Sequence, residues 1–444
     1  MNKNKTLQLL SNFVSIQSVS ADPKRRKQIT MAVDLLTREL RKMKFEVRLI
    51  KKNNAPPLLY AARHSSKAGK TIGIYAHYDV QPEDPVDEWK TPPFELTAQN
   101  GKLYGRGVAD DKGHVIQNIY AIKELIVANK LKNNVVFILE GEEEVGSLHF
   151  EEMIQSVKKT LSKVDVFYVT DVGMHKKNVP QIMYALRGLV YFEIKLCVGE
   201  RDLHSGIYGN AVLNPILVLS KLISQMKDTK SGRILIDHFY DGVKKIGEKE
   251  RELLKKTYTG NKELQKEAQT FTIIETNHEK GYLLPKIHPS FDIHGITSGY
   301  TGVGAKTVIP KEIKAKFSFR LVENQNPDTI EHLVKKYIKK AIPRGVKYTL
   351  KTVAKFVPFY TDTDNSHVKK TAAQLKEIFG NETIYNRTGG SIGAAEVLQR
   401  HFGKPVILFG FTLPDEKAHS PNENIDEEMF WKGIEALKSI YSKI

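Results

Sequence analysis

Acidic residues and histidines follow short apolar runs at several points in this 444-residue chain. The run TIGIYA is followed by His77 and, shortly after, by Asp79. The run VVFIL leads into the acidic segment 140–144, VDVFYVT ends at Asp171, and PVILFGF leads into the loop that holds His419. Imidazole and carboxylate groups together suit zinc, and carboxylate-rich sites also accept manganese. These residue types and positions therefore indicate a metal site.

A further acidic pair, Asp110 and Asp111, lies in the segment GRGVADDKG, just before a helical pattern. Ligands of open α/β sheets bind at the carboxyl ends of the strands, so all these groups are expected on one rim of one sheet. Carboxylates gathered there would repel one another. Two divalent cations about 3.5–4 Å apart, sharing one bridging carboxylate, would remove that repulsion. The sequence therefore favours a site for two metal ions.

The elements that must position these groups alternate between strand and helix in the first part of the chain. Short apolar runs predict strands, and apolar residues at helical intervals predict helices. The predicted strands are 71–76, 135–139 and 164–170, and the predicted helices are 30–43 and 113–128. Such βα alternation implies a sheet that is covered by helices.

The pattern changes near Arg187, where a second, α+β unit begins. Its predicted strands are 189–198, 312–322 and 346–354. The βα pattern then resumes, with predicted helices at 366–379, 391–400 and 426–441 and a strand at 405–411. We therefore predict an α/β fold in which a discontinuous domain, 1–186 plus 356–444, is built on a mixed sheet covered by helices. An inserted α+β domain, 187–355, interrupts it.

Composition restricts the classes of partner. No apolar run reaches the length of about 18 residues that a membrane helix needs, and the first residues lack the apolar core of a secretory signal. Cys197 is the only cysteine, which fits a reducing, cytoplasmic compartment. The 68 basic and 51 acidic residues give a net charge of +17, which would permit binding to an anionic polymer. Because the basic residues are spread out and no nucleic-acid motif accompanies them, we predict a lysine-rich surface, with neither nucleic acid nor membrane as partner.

The order of these motifs resembles a family of di-metal peptidases and deacylases. That family includes carboxypeptidase G, aminoacylase, the acetylornithine and succinyl-diaminopimelate deacylases, and the carnosine and cytosolic non-specific dipeptidases. The resemblance extends over nearly the whole chain and is closest to the dipeptidase branch. The segments that carry it are YAHYDVQP, LYGRGVADDKG, LEGEEEVGS, RDLHSGIYG, GAKTVIP, FSFRLV, TGGSIG and AHSPNEN.

The resemblance implies a ligand set for two divalent metal ions per subunit. It makes Asp110 the carboxylate that bridges the ions. His77 and Asp171 would complete one site, and Glu144 and His419 the other. Zn²⁺ is the predicted metal, with Mn²⁺ as the alternative.

The resemblance also implies roles for residues next to the ligands. Asp79 would orient His77, Glu143 would be the general base, and the Asp110–Asp111 peptide bond would be cis. Glu142 is an extra acid where the dipeptidases usually have an uncharged residue. It leaves an ambiguity of one position, which we settle by counting back from the VGS segment.

Residues of the inserted domain and one later loop are implied in substrate binding. His204 corresponds to a histidine that reaches the active site of a partner subunit and stabilises the oxyanion. Arg320 would pair with the substrate carboxylate, and Thr307 matches a threonine of the dipeptidases. The loop holding Gly390 and Ser391 would offer backbone N–H groups to a carboxylate. Alternatives are that His204 caps the following helix and that Arg320 forms an exposed ion pair.

Together these expectations describe a metallopeptidase that cleaves dipeptides or short peptides with a free C-terminal carboxylate. A water shared by two cations would attack, and Glu143 would take its proton. The inserted domain would act as a lid and dimerise the protein. The main alternative is an N-acyl-amino-acid deacylase of the same family. A non-catalytic binding protein would be expected to have a broken ligand set, and this chain keeps every ligand position.

Overall fold

The computed structural model describes residues 2–67, 69–257, 260–274, 281–390 and 392–444. The chain forms two compact units. The first comprises Met1–Tyr184, Thr361–Asn386 and Ile392–Ile444, and the second comprises Ala185–Tyr360 with a short segment that begins at Arg387. Relative to the expected division, the second unit also takes in residues 185–186, 356–360 and the segment that begins at Arg387.

Helices and strands account for most of the described residues. The α-helices are α1 Lys3–Val14, α2 Arg26–Lys42, α3 Lys112–Val127, α4 Phe150–Gln155, α5 Lys158–Leu161, α6 Ser205–Tyr208, α7 Pro215–Met226, α8 Glu248–Lys255, α9 Asn261–Glu267, α10 Leu284–Ile287, α11 Pro327–Ala341, α12 Ser366–Phe379, α13 Gly393–Phe402 and α14 Glu427–Lys443. The strands are β1 Glu46–Ile50, β2 Leu58–Arg63, β3 Thr71–His77, β4 Thr97–Gln99, β5 Lys102–Tyr104, β6 Asn134–Glu140, β7 Val166–Val169, β8 Gln181–Leu186, β9 Gly188–Cys197, β10 Leu203–His204, β11 Ser290–Ser298, β12 Val308–Ile309, β13 Glu312–Leu321, β14 Lys347–Phe356, β15 Phe359–Tyr360, β16 Ile384–Thr388, β17 Val406–Leu408 and β18 Asn424–Asp426.

A mixed sheet forms the centre of the first unit, with its strands in the order β1-β2-β6-β3-β7-β17-β8. The four strands β6, β3, β7 and β17 are parallel to their neighbours within this group, and the outer pairings are antiparallel. The parallel strands are almost wholly buried, as expected for continuous apolar runs with helices on the faces. The carboxyl ends of these four strands therefore lie along one edge of the sheet.

Helix α3 is buried along most of its length and contacts β3, α1 and α14. Its residues Ile116, Ile119 and Ile122 belong to the core of the unit, so the apolar stripe seen in the sequence is the packing face. The mixed α/β architecture predicted from the sequence is confirmed. The strand in this region, Val406–Leu408, is shorter than the strand predicted at 405–411.

The second unit contains an antiparallel sheet in the order β11-β13-β9-β14. Strand β9 alternates between buried and half-buried residues, and its buried side chains join a core to which α7 and α11 contribute. A separate two-stranded sheet pairs β10 with β12. Among the described residues, no helix is both long enough and apolar enough to cross a membrane.

Candidate active site

The parallel strands of the first unit deliver the predicted ligands to one rim. His77 is the last residue of β3, Asp171 follows β7 directly after Thr170, and the acidic segment follows β6. The loop after β17 carries His419. The convergence expected from the strand ends therefore occurs within a single unit of the chain.

His77 faces two carboxylates. Its Nε2 lies 2.9 Å from Oδ1 of Asp110 and 3.6 Å from Oδ1 of Asp171. Its Nδ1 lies 3.1 Å from the backbone oxygen of Asp79, a contact that directs the proton to Nδ1 and leaves Nε2 as the donor atom for a metal. The imidazole is fully buried.

His419 faces a second pair of carboxylates. Its Nε2 lies 2.9 Å from Oδ2 of Asp110 and 3.2 Å from Oε2 of Glu144. Gln81 donates a hydrogen bond of 2.8 Å to the same Glu144 oxygen, whereas Oε1 of Glu144 is buried and has no hydrogen-bond partner within the described residues. A buried carboxylate oxygen without a donor is costly unless a cation balances it.

Asp110 thus belongs to two triads, one with His77 and Asp171 and the other with His419 and Glu144. One oxygen of its carboxylate serves each triad. This donor set of imidazole and carboxylate groups fits two divalent cations that share a bridge. Although burial opposes it, the two histidines lower the pKa of Asp110, so this carboxyl stays ionised.

Asp111 also lies in this region, since its ligand atom is within 4.8 Å of those of His77 and Asp171. Both of its oxygens are engaged, however: Oδ2 accepts the backbone N–H of His77 at 3.2 Å, and Oδ1 lies 2.8 Å from Nδ1 of His114. The Asp110–Asp111 peptide bond is cis. Asp111 therefore supports the backbone of the site, whereas Asp110 is the residue that faces the imidazoles of His77 and His419.

Asp79 organises the acidic segment. Its two oxygens accept the backbone N–H groups of Glu143 and Glu144, at 3.3 and 3.1 Å. Removal from water, together with the charges of Asp171 and Asp110, raises the pKa of Glu143 well above its ordinary value, although His77 opposes this. A glutamate with a raised pKa and a fixed backbone is suited to accept and return a proton.

Glu142 has a separate set of contacts. It is buried, accepts the backbone N–H of His149 at 2.5 Å, and lies 3.1 Å from Nδ1 of the same residue. His149 precedes α4, so Glu142 holds the beginning of that helix.

In the second unit, His204 and Thr307 are neighbours. His204 pairs with Val308, and the backbone N–H of Ser205 donates to the Thr307 oxygen at 3.1 Å. Nδ1 of His204 accepts the Gly206 N–H at 3.0 Å, which is the capping contact considered above. Both His204 and Thr307 are exposed, and capping leaves Nε2 of the histidine outside that bond.

Arg320 lies on β13 and is half-buried. Its Nη1 donates a long hydrogen bond, 3.4 Å, to the backbone oxygen of Gly389, and the next residue, Gly390, is exposed. Burial lowers the pKa of Arg320, and Asp292 partly compensates. Ser391 lies outside the described residues. Helix α13 begins at Gly393, slightly later than the helix expected from 391.

The family follows from comparison of the whole chain with known proteins. The model of Peptidase family M20/M25/M40 matches residues 73–443. The chain belongs to this family. It is therefore a metallopeptidase that acts on peptide bonds, and the resemblance to the dipeptidase branch is confirmed.

Relatives within the family match over most of their length. The Beta-Ala-His dipeptidase of Homo sapiens is 31% identical, covering 86% of this chain and 76% of the relative. A Cys-Gly metallodipeptidase of Schizosaccharomyces pombe is 31% identical over 97% of this chain and 94% of the relative. A solved M20 family metallo-carboxypeptidase from Sulfolobus solfataricus is 33% identical, with a TM-score of 0.89, and the match covers 100% of this chain and 99% of that one.

Several supporting residues of this peptidase were missed by sequence reasoning. Sequence reasoning gave His114 no role, but it is buried between Asp111 and the Phe411 N–H, which donates to its Nε2 at 3.1 Å. Its spacing of three residues from Asp111 at the start of α3 was an available signal. Gln81 and Glu423 also contact the ligand-bearing loops. Both lie in segments that carry the family resemblance, YAHYDVQP and AHSPNEN, but nothing in their spacing indicates these contacts.

Proposed function

We propose that this peptidase hydrolyses dipeptides or short peptides with a free C-terminal carboxylate, using two divalent metal ions. The observation that carries the proposal is the position of Asp110, with one carboxylate oxygen 2.9 Å from His77 and the other 2.9 Å from His419. Asp171 and Glu144 provide the terminal carboxylates. A shared carboxylate between two imidazole–carboxylate pairs is the donor arrangement that two cations require.

The ions would supply Lewis-acid chemistry, polarising the scissile carbonyl and lowering the pKa of the attacking water. Glu143 accepts the proton of that water and delivers it to the leaving amine. Asp79 keeps Glu143 in place through the backbone bond described above, and it holds His77 in the required tautomer. Zn²⁺ is the metal we propose, with Mn²⁺ as the alternative, because both accept this mixture of ligands.

The substrate preference rests on a cationic group and on the named relatives. Arg320 is a half-buried guanidinium next to the Gly389–Gly390 segment, and a planar fork of this kind binds a carboxylate with two parallel bonds. Relatives named as dipeptidases support short peptides as substrates. We include Thr307, Gly390 and Ser391 in this proposed subsite.

We further propose a homodimer formed through the second unit, in which His204 serves the active site of the partner. Apolar side chains on α6, on α7, between these two helices and on the edge strand β11 are exposed, which is typical of a surface that another chain covers. They include Ile207, Leu213, Leu217 and Ile296. The single cysteine supports a cytoplasmic location.

A hydrolysis screen tests this function directly. The metal-free protein is reloaded with Zn²⁺ or Mn²⁺ and offered dipeptides, β-alanyl-histidine, and N-acetyl and N-succinyl amino acids. We expect turnover of dipeptides, and loss of that turnover when the C-terminal carboxylate is amidated. Turnover of the acylated amino acids alone would instead identify a deacylase, and activity in protein that contains no metal would reject the two-metal site.

A further inference from the structure

Glu423 lies at the end of the loop that carries His419, next to the strand pair β5–β18 and to the turn that leads to Asp110. Strand β18 pairs antiparallel with β5, with Asn424 opposite Tyr104. Glu423 comes just before β18 and Gly105 just after β5, and the Gly105 N–H donates to the Glu423 backbone oxygen at 3.1 Å. This register places the Glu423 side chain beside the turn that leads to the proposed bridging residue.

The Glu423 carboxylate accepts hydrogen bonds from that whole turn. One oxygen, Oε2, accepts from the Gly107 N–H at 3.0 Å and from Nη1 of Arg106 at 2.7 Å. The other, Oε1, accepts from the N–H groups of Ala109 and Asp110, at 2.9 and 3.1 Å. The carboxylate is fully buried, so water does not compete for these bonds.

The same part of the chain also fixes the loop that carries His419. The Asn424 backbone N–H donates to the Glu416 oxygen at 2.8 Å, and its side-chain amide donates to the Asp415 and Glu416 oxygens at 3.3 and 3.2 Å. These bonds close the loop on both sides of His419. Residues 423 and 424 therefore hold the loops of His419 and Asp110 in one assembly.

We propose that Glu423 is a positioning residue that sets the backbone of Asp110 relative to the His419 loop, so that each oxygen of Asp110 meets its own histidine. The inference rests on the proposed two-metal function. Both oxygens of the Glu423 carboxylate are engaged by Arg106 and by the backbone of this turn. Glu423 acts by fixing the backbone of Asp110, from which the bridging carboxylate extends.

Glu423→Gln tests this with an isosteric change. The amide has one acceptor oxygen, and its NH₂ group must face either Arg106 and Gly107 or Ala109 and Asp110, so one pair of bonds is lost. Changes in residues that orient metal ligands typically cost 10- to 100-fold in metal affinity. We expect that loss for Zn²⁺, measured by competition with a chelator, and an altered visible absorption spectrum after loading with Co²⁺.

Two further variants keep the test decisive. Glu423→Asp retains the charge but is too short to reach both pairs of donors, so it should also weaken metal binding and would carry the test if Glu423→Gln did not fold. Asp165→Asn is the matched control, because Asp165 accepts the Thr71 N–H at 2.8 Å at the opposite end of β3 from His77. It should change metal affinity less than about twofold, and circular dichroism should show folded metal-free protein throughout.

The outcomes separate this inference from the proposed function. Wild-type protein that binds no metal would reject the two-metal site itself. Wild-type protein that binds two ions, together with Glu423→Gln that binds them equally tightly and has an unchanged Co²⁺ spectrum, would overturn the positioning role alone. Equal weakening in Asp165→Asn would also overturn it, since a general loss of stability would then explain the result.

Discussion

Glu142 binds His149 through both the backbone N–H, at 2.5 Å, and the imidazole Nδ1, at 3.1 Å. Through this contact the Glu142 carboxylate is bound to the residue that immediately precedes α4, and not to the histidines of the proposed metal site. The next residue, Glu143, has its backbone fixed by Asp79 and its pKa raised by burial and by the carboxylates of the rim. The structure thus gives two consecutive glutamates different surroundings, and the difference predicts different effects of substitution.

Glu143→Gln should retain both metal ions and lose roughly 100- to 10,000-fold in kcat, because an amide cannot accept a proton from water. Glu142→Gln should keep most of its activity, since the amide oxygen can still accept the His149 N–H. Steady-state kinetics on metal-loaded protein, with metal content measured alongside, compares the two. An inactive Glu142→Gln that retains its metal would shift the assignment of the base by one residue.

Asp110→Asn should reduce the metal content more than any other single ligand change. Its carboxylate places one oxygen 2.9 Å from His77 and the other 2.9 Å from His419, so the substitution weakens two triads at once. Glu144→Gln affects one triad and should leave about one ion per chain. Elemental analysis after dialysis measures both, and equal metal content in the two variants would argue against the bridge.

The site was largely predictable because its ligands sit at the ends of strands that the sequence marks clearly. Apolar runs identify β3 and β7, and parallel strands in one sheet must end on the same rim, so His77 and Asp171 could be expected to meet. The motif order then supplied roles for residues such as Glu143. Neither argument needs knowledge of side-chain contacts.

The supporting contacts could not be predicted in the same way. Arg106 and Glu423 form a buried ion pair of 2.7 Å between distant parts of the chain. Their proximity depends on the pairing of β5 with β18, which are short strands without a measurable periodicity in the sequence. The contact between Glu142 and His149 likewise depends on how the chain turns between β6 and α4, and turn geometry leaves little trace in residue pattern.

Mixing two inactive variants tests whether His204 acts on a partner subunit. His204→Ala should lose about 100- to 1000-fold in kcat, the usual effect of removing one oxyanion donor. In a heterodimer with Glu143→Gln, one active site combines the intact Glu143 of one chain with the intact His204 of the other. Activity should therefore partly return when subunits exchange. Mass spectrometry of a mass-labelled subunit monitors the exchange. If exchange occurs and activity does not recover, His204 acts in the active site of its own chain or has no part in catalysis.

The second unit should show a stability that depends on pH through Glu331. This carboxylate of α11 accepts hydrogen bonds from Lys335 at 2.5 Å and Thr352 at 2.6 Å, and it lies 2.9 Å from Lys355. Lys335 contributes most, followed by Thr352, and with Lys355 these partners lower the pKa of Glu331 from 4.5 to about 2. Because the pKa is lower in the folded state, the stabilisation is complete above the unfolded value and disappears as the pH falls from about 4.5 toward 2.

Glu331→Gln should therefore lower the free energy of unfolding by about 1 kcal/mol at neutral pH, the upper range for ion pairs that are open to solvent. The difference from wild type should shrink steadily below pH 4.5, since protonation removes the same charge from the wild-type side chain. Glu435→Gln is the matched control. Glu435 is an exposed residue of α14, and among the described residues its ion pair is with Lys438. Urea unfolding between pH 3 and pH 7, under conditions where the transition is reversible, measures all three proteins. A difference between wild type and Glu331→Gln that stays constant across this range would show that packing, and not the charge of Glu331, stabilises the junction of α11 with β14.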